Sequence, residues 1–293
     1  MQEQILEQEQ FLGLEGKYID EEYAKIILLP VPFDQTTSFR KGSDKGPQAL
    51  IEASKQVEFY DIDTDTEVYK NGIHTSLSKN YTSSEEMLKG VYNDTTAYLK
   101  KDKFVVTIGG EHSISFAPIK AHADHYGPIS VVQFDAHTDL RDAYQNNPSS
   151  HACVMARVKE IPSISSIVSV GIRSMDESEK KHADFSHIFF AHDIHKDNTW
   201  MSRSIDLLSD LVYITFDLDA FDSSLMPSTG TPEPGGLFWH QVDQYLKLLT
   251  KKKKVIGFDV VELCPIKDFI APNFLAAKLT NKLLSYIFKQ KEI

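Results

Sequence analysis

ISVVQFDAHTD, residues 129–139, is apolar as far as Phe134 and then sets Asp135, His137 and Asp139 at alternate positions. A strand that stops there turns alternate side chains to one face. The stretch therefore predicts a strand whose carboxyl end presents two carboxylates and an imidazole together. Like charges at one strand end repel unless something positive sits between them, and a metal ion is the obvious candidate. The apolar, β-branched half reads as a strand buried on both faces, the kind that builds a parallel sheet.

Similar runs recur at 24–33, 104–110, 164–173, 187–193, 211–222 and 254–263. Helix-like segments lie at 45–57, 83–101, 115–125, 175–185, 201–209, 238–250 and 272–289. Strand–helix alternation predicts an α/β protein with helices on both faces of a mostly parallel sheet. The most polar interruptions are 61–82 and the loop 141–150. At 293 residues the chain suits one large α/β domain, 1–293, with residues 1–23 as an N-terminal extension.

A net charge of -11 argues against nucleic acid as a partner. The lysine run 251–254 reads as a solvated helix end. Two cysteines, Cys153 and Cys264, argue against a disulfide scaffold and fit a reducing, cytoplasmic setting. The polar N-terminus lacks the basic start and apolar run of a signal peptide. No stretch approaches the roughly 18 apolar residues of a membrane span, so no membrane partner is expected.

In open α/β sheets, ligands gather beyond the carboxyl ends of the strands. The run 104–110 leads to Glu111 and His112, 211–222 carries Asp217, Asp219 and Asp222, and 254–263 carries Asp259 and Glu262. Taken together, His112, Asp135, His137, Asp139, Asp217 and Asp219 form a set too oxygen-rich for a thiolate-type zinc site. Such a set suits hard-to-borderline divalent ions, Mn²⁺ foremost. Six side chains are too many for one ion with an open position, whereas two ions sharing carboxylates use them economically. D-x-H or D-x-D alone is common in turns and caps. GGEHS, DAHTD and FDLDAFD in this order, each after a β-like run, are far more specific.

The chain resembles the ureohydrolase family of arginases, agmatinases and formimidoylglutamases. The resemblance lies in GGEHSIS (109–115), DAHTDLRDAY (135–144), SHACVMARV (150–158), FDLDAFDSSLMPSTGTPEPGGL (216–237) and DVVELCP (259–265), with SFRKGSDKGPQALIEAS (38–54) near the start. It implies an arginase-like three-layer α/β/α fold and a hydrolase holding two Mn²⁺ per subunit. By motif, one ion takes His112, Asp135, Asp139 and Asp217, and the other takes His137, Asp135, Asp217 and Asp219. Asp135 and Asp217 would bridge, and Asp139 would count among the catalytic groups as well. The implied substrate is a small cationic guanidino compound, cleaved to urea and an amine. Glu262 matches the glutamate that holds the guanidinium, a planar cation suited to paired bonds with a carboxylate. His151 matches the histidine thought to shuttle protons, where titration near neutral pH would serve it. The resemblance also implies a homo-oligomer, trimer or hexamer.

Arg141 stands where arginases carry an asparagine two residues beyond the third motif aspartate, which counts against arginase. DLRDAY and SHACVM look more like agmatinases, and Glu233 in GTPEPGG fits their version of that motif. Ala156 departs from the arginine common after SHACVM. Agmatine, giving putrescine in polyamine biosynthesis, is the leading substrate. Guanidinobutyrate, arginine or another guanidino compound would keep the mechanism. Two readings of another class are a catalytically silent metal-binding subunit and a dinuclear phosphohydrolase. The latter is disfavoured by the lack of a phosphate-cradling glycine loop. His192 and His195 read as exposed hydrogen-bonded side chains, Cys153 as a small buried residue, and Gly109–Gly110 as a tight turn.

Overall fold

A computed structural model describes residues 9–197 and 199–289. Eight strands form one sheet: β1 (Ile26–Val31), β2 (Ile73–Thr75), β3 (Phe104–Gly109), β4 (Ile129–Phe134), β5 (Ile164–Ile172), β6 (Ile188–Phe190), β7 (Leu211–Asp217) and β8 (Lys254–Val261). All pairings between them are parallel, in the order β2-β1-β3-β8-β7-β4-β5-β6. The helices are α1 (Gly46–Ser54), α2 (Ser84–Leu99), α3 (Phe116–Tyr126), α4 (Val154–Lys159), α5 (Ala191–Ile194), α6 (Thr199–Asp206), α7 (Trp239–Lys252) and α8 (Ala271–Lys289).

The expected three layers are present. Successive strand residues feed opposite cores, as side-chain alternation requires. Leu28, Val106, Val132, Ile214 and Phe258 pack with residues of α7 and α8, whereas Leu29, Val105, Val131 and Tyr213 join two clusters on the other face with residues of α2, α3 and α4. Phe11 and Leu12 are buried in the first of these cores; residues 1–8 of the expected extension lie outside the described residues.

The order of the strands matters for the site. The chain builds β2-β1-β3 on one side and β4-β5-β6 on the other, then returns to insert β7 and β8 between them. The four strands that lead to the suspected ligands, β3, β8, β7 and β4, thus become neighbours at the centre of the sheet.

Several expectations need correction. The segment 175–185 is not an α-helix but carries two 3₁₀ turns, Glu177–Lys181 and Phe185–His187. Asp176 and Asp184 each accept an amide two residues on, from Ser178 and Ser186, and so restart the chain locally. The run 187–193 is a strand only over Ile188–Phe190 and then turns into α5. β2 lies within the polar stretch 61–82; three residues at a sheet edge leave little hydrophobic pattern. Helix α4 was hidden in SHACVMARV, being too short for a helical period to emerge.

Candidate metal centre

β4 ends at Phe134 and β7 at Asp217, earlier than the sequence implies. The reason lies in the aspartates themselves. Asp135 Oδ1 accepts the amide of His137 at 2.6 Å, and Asp217 Oδ1 accepts the amide of Asp219 at 2.8 Å. Each is a side-chain turn that halts the strand. The alternate residues therefore do not share one strand face, as expected. They converge because the backbone curls, and Asp139 completes the curl in the left-handed region at φ 50°. Glu262, one residue past β8, is also left-handed at φ 65°. Such backbone costs on the order of 1–3 kcal/mol per residue and clusters at functional sites.

All six suspected ligands meet. His112 Nδ1 lies 3.1 Å from Asp135 Oδ2, 3.1 Å from Asp139 Oδ2 and 3.3 Å from Asp217 Oδ2. His137 Nδ1 lies 2.9 Å from Asp219 Oδ2 and 3.6 Å from Asp135 Oδ1. Donor atoms within 4.8 Å of one another form two groups, His112–Asp135–Asp139 and Asp135–His137–Asp219, with Asp135 common to both.

A second layer orients these groups, and sequence reading missed most of it. Thr215 Oγ1 is 2.9 Å from His112 Nε2 and donates its one proton to Asp259 Oδ1 at 2.8 Å. It must then accept from Nε2–H, which leaves Nδ1 of a neutral His112 with a bare lone pair. That buried Nδ1 has no hydrogen-bond partner and faces three carboxylates. A lone pair aimed at anions is repulsive unless a cation stands between them, so the donors fit a divalent metal. Gln133, fixed by Ser169, donates to Asp135 Oδ2 at 2.8 Å, and the Ala136 amide donates to Asp219 Oδ1 at 2.9 Å.

The electrostatics agree. Burial works against a charged His112, yet Asp135, Asp139 and Asp217 hold its pKa well above the ordinary value. Burial likewise disfavours charge on His137, but Asp219 and Asp135 push it up to about 12. Asp139 is pushed up to about 6 by burial and by the charge of Asp135. The cluster demands positive charge, which protons supply when no metal does.

Glu262 is buried rather than a surface carboxylate, and its Oε1 accepts the His112 amide at 2.7 Å. His151 Nδ1 lies 3.6 Å from the same oxygen, while its Nε2 is buried without a partner. Burial lowers the His151 pKa, but Glu262 outweighs it and brings it to about 9, above the near-neutral value expected. A cavity of about 280 Å³ joins these groups; His137, Asp139, Asp217, Asp219, His151 and Glu262 all line it. Its wall also carries Thr37, Phe39, Arg141 and Asp176. Arg141 pairs with Asp176 at 3.3 Å and stacks on Tyr144.

Residues set aside in the sequence stay aside. His192 and His195 are exposed, and Cys153 is buried with its thiol pushed up to about 11 by that burial, unsuited to nucleophilic attack. Gly109 closes β3 and Gly110 starts the bend after it; a Cβ on Gly110 would sit 2.0 Å from the carbonyl oxygen of Phe33, so close approach excludes any side chain.

The family model of the arginase family matches residues 24–285. The N(1)-aminopropylagmatine ureohydrolase of Synechocystis sp. is 34% identical over 94% of this chain and 93% of its own. The agmatinase of Pyrococcus horikoshii is 35% identical over 89% and 91%. In three dimensions, the agmatine ureohydrolase of Thermoplasma volcanium superposes with a TM-score of 0.87 at 30% identity, covering 99% of this chain and 98% of that one. The chain belongs to the arginase family, as a hydrolase of the agmatinase-like ureohydrolase kind.

Proposed function

We propose that this protein hydrolyses the guanidinium group of agmatine to urea and putrescine, with two Mn²⁺ ions held by His112, Asp135, His137, Asp139, Asp217 and Asp219. The observation that carries this reading is the pair of donor groups sharing Asp135 at the base of a cavity that also holds Glu262 and His151. With Asp217 beside these groups, 3.3 Å from His112, the four aspartates match the charge of two divalent ions, and an oxygen-rich set with two imidazoles suits manganese. When bound, such a pair of ions acidifies water enough to supply a nucleophile near neutral pH.

The chain's own residues do the rest. Glu262, fixed at Oε1 by the His112 amide, accepts N–H bonds from the guanidinium and orients its plane. His151 is held at Nδ1 by Glu262 and keeps a proton on Nε2, which it gives to the leaving amine nitrogen. Two buried free cysteines fit work in a reducing cytoplasm.

A second substrate is favoured by a specific finding. The Synechocystis relative is named for N(1)-aminopropylagmatine, which contains the same guanidinobutyl unit with a longer cationic tail. The reactive end would bind identically. The test is urea release by Mn²⁺-loaded protein from agmatine, N(1)-aminopropylagmatine, arginine and guanidinobutyrate. Release from agmatine, with little from arginine, supports the proposal. Release from the aminopropyl compound alone moves the substrate, and none from any of the four overturns the reading.

A further inference from the structure

Another acidic side chain, Glu111, sits fully buried beside His112 yet belongs to neither donor group. Its Oε2 accepts the amides of Thr36 at 2.6 Å and Thr37 at 3.1 Å. Its Oε1 accepts the hydroxyls of Thr36 at 2.6 Å and Ser113 at 2.5 Å. The Thr36 hydroxyl gives its only proton to Glu111, so its oxygen is free to accept, and it takes the His151 amide at 2.9 Å.

The backbone supports the same clasp. The Glu111 amide donates to the Phe33 carbonyl at 2.8 Å, across the contact that only glycine allows at position 110. Thr37, one of the clasped threonines, lines the cavity wall together with Ser38 and Phe39 just beyond it. One buried carboxylate thus ties three things together: the end of β3 that carries His112, the cavity wall at 37–39, and the start of the segment that carries His151.

We infer that Glu111 is a positioning residue, which sets His151 through the Thr36 hydroxyl and the 37–39 wall through the threonine amides. The inference rests on the reading of His151 as proton donor. Its physical basis is that a displacement of about 1 Å in a group acting on the reacting atoms costs on the order of a hundredfold in rate. The two arms separate chemically. Removing the Thr36 hydroxyl cuts the link to His151 while the amide bonds that hold the wall remain.

The test uses the full chain loaded with Mn²⁺, with Thr36→Val, Thr36→Ser and Glu111→Gln compared for kcat, KM, metal content and amide hydrogen exchange. Thr36→Val should lower kcat at least about tenfold, the scale of one lost hydrogen bond. KM should stay within about twofold, both ions should stay bound, and the His151 amide should exchange faster. Thr36→Ser should restore rate and protection. Wild-type turnover in Thr36→Val, failure of Thr36→Ser to restore, or unchanged protection of the His151 amide would overturn the inference. Should Glu111→Gln not fold, the Thr36 pair decides alone. Should the wild-type chain release no urea, the functional reading falls, while the exchange comparison still decides whether the clasp holds His151.

Discussion

Thr215 Oγ1 lies 2.9 Å from His112 Nε2 and hands its proton to Asp259, so a hydroxyl on β7 decides which nitrogen of a histidine after β3 is bare. Thr215→Val keeps the shape and removes the hydroxyl. Outer-shell partners of this kind contribute about 10–100-fold in metal affinity. Calorimetric titration of the metal-free variant with Mn²⁺ should show a loss in that range for the His112 side. Unchanged affinity would remove Thr215 from the account.

Asp135 is common to both donor groups, whereas Asp139 belongs to one. Asp135→Ala should therefore lose both ions, and Asp139→Ala should weaken the His112 side first. Metal content of the dialysed variants, measured by mass spectrometry, checks the difference. Equal losses in the two variants would contradict a shared position for Asp135.

Glu262→Gln keeps the hydrogen-bond shape and removes the charge. Both metals should remain, KM for agmatine should rise and turnover should fall. The variant also changes proton affinity. Glu262 stabilises the charged His151 ring against its own burial and brings its pKa to about 9, above its ordinary value. The stability this adds is fully present below the unfolded pKa of about 6.5 and is lost as pH rises through about 9. In Glu262→Gln, the His151 ring signal should titrate at lower pH. An unshifted titration would show that another group charges the ring.

Arg173 pins the loop that follows β7. Its guanidinium donates to the carbonyls of Asp219 at 2.6 Å, Phe221 at 3.1 Å and Glu233 at 2.9 Å through Nη2, with Gly171 and Pro234 bound through its other nitrogens. A lysine cannot span this fork. Arg173→Lys should lower Tm by about 2–3 °C, the scale of one or two kcal/mol at this size. It should also weaken the ion on the His137–Asp219 side before the other. A differential scanning experiment with and without Mn²⁺ reads both effects.

Much of this site was legible in the sequence because its chemistry is concentrated. Asp135, His137 and Asp139 follow an apolar run directly, and Asp217 and Asp219 repeat the arrangement after another. The strand order that makes these ends neighbours, with β7 and β8 inserted last, leaves no local trace, since it depends on which strands pair across long separations. The motif aspartates look in sequence like alternate residues of a strand; Asp135 and Asp217 are turn-formers that stop it, so each is both a turn and a candidate ligand. Thr36, Gln133, Thr215 and Arg173 were invisible for a different reason. Uncharged or distant residues gain meaning only from the partner they meet, Gln133 from Asp135 and Arg173 from carbonyls 46 residues or more away. The short β2 and α4 were missed because three and six residues carry no periodic signal.

The central claim is that this cluster holds two metal ions rather than one. Crystals of the Mn²⁺-loaded chain, recorded at the manganese absorption edge, test it directly. The account predicts two anomalous peaks, one contacting His112 and the other His137, with Asp135 reaching both. A single peak, or peaks that leave His137 and Asp219 without metal contact, would contradict it.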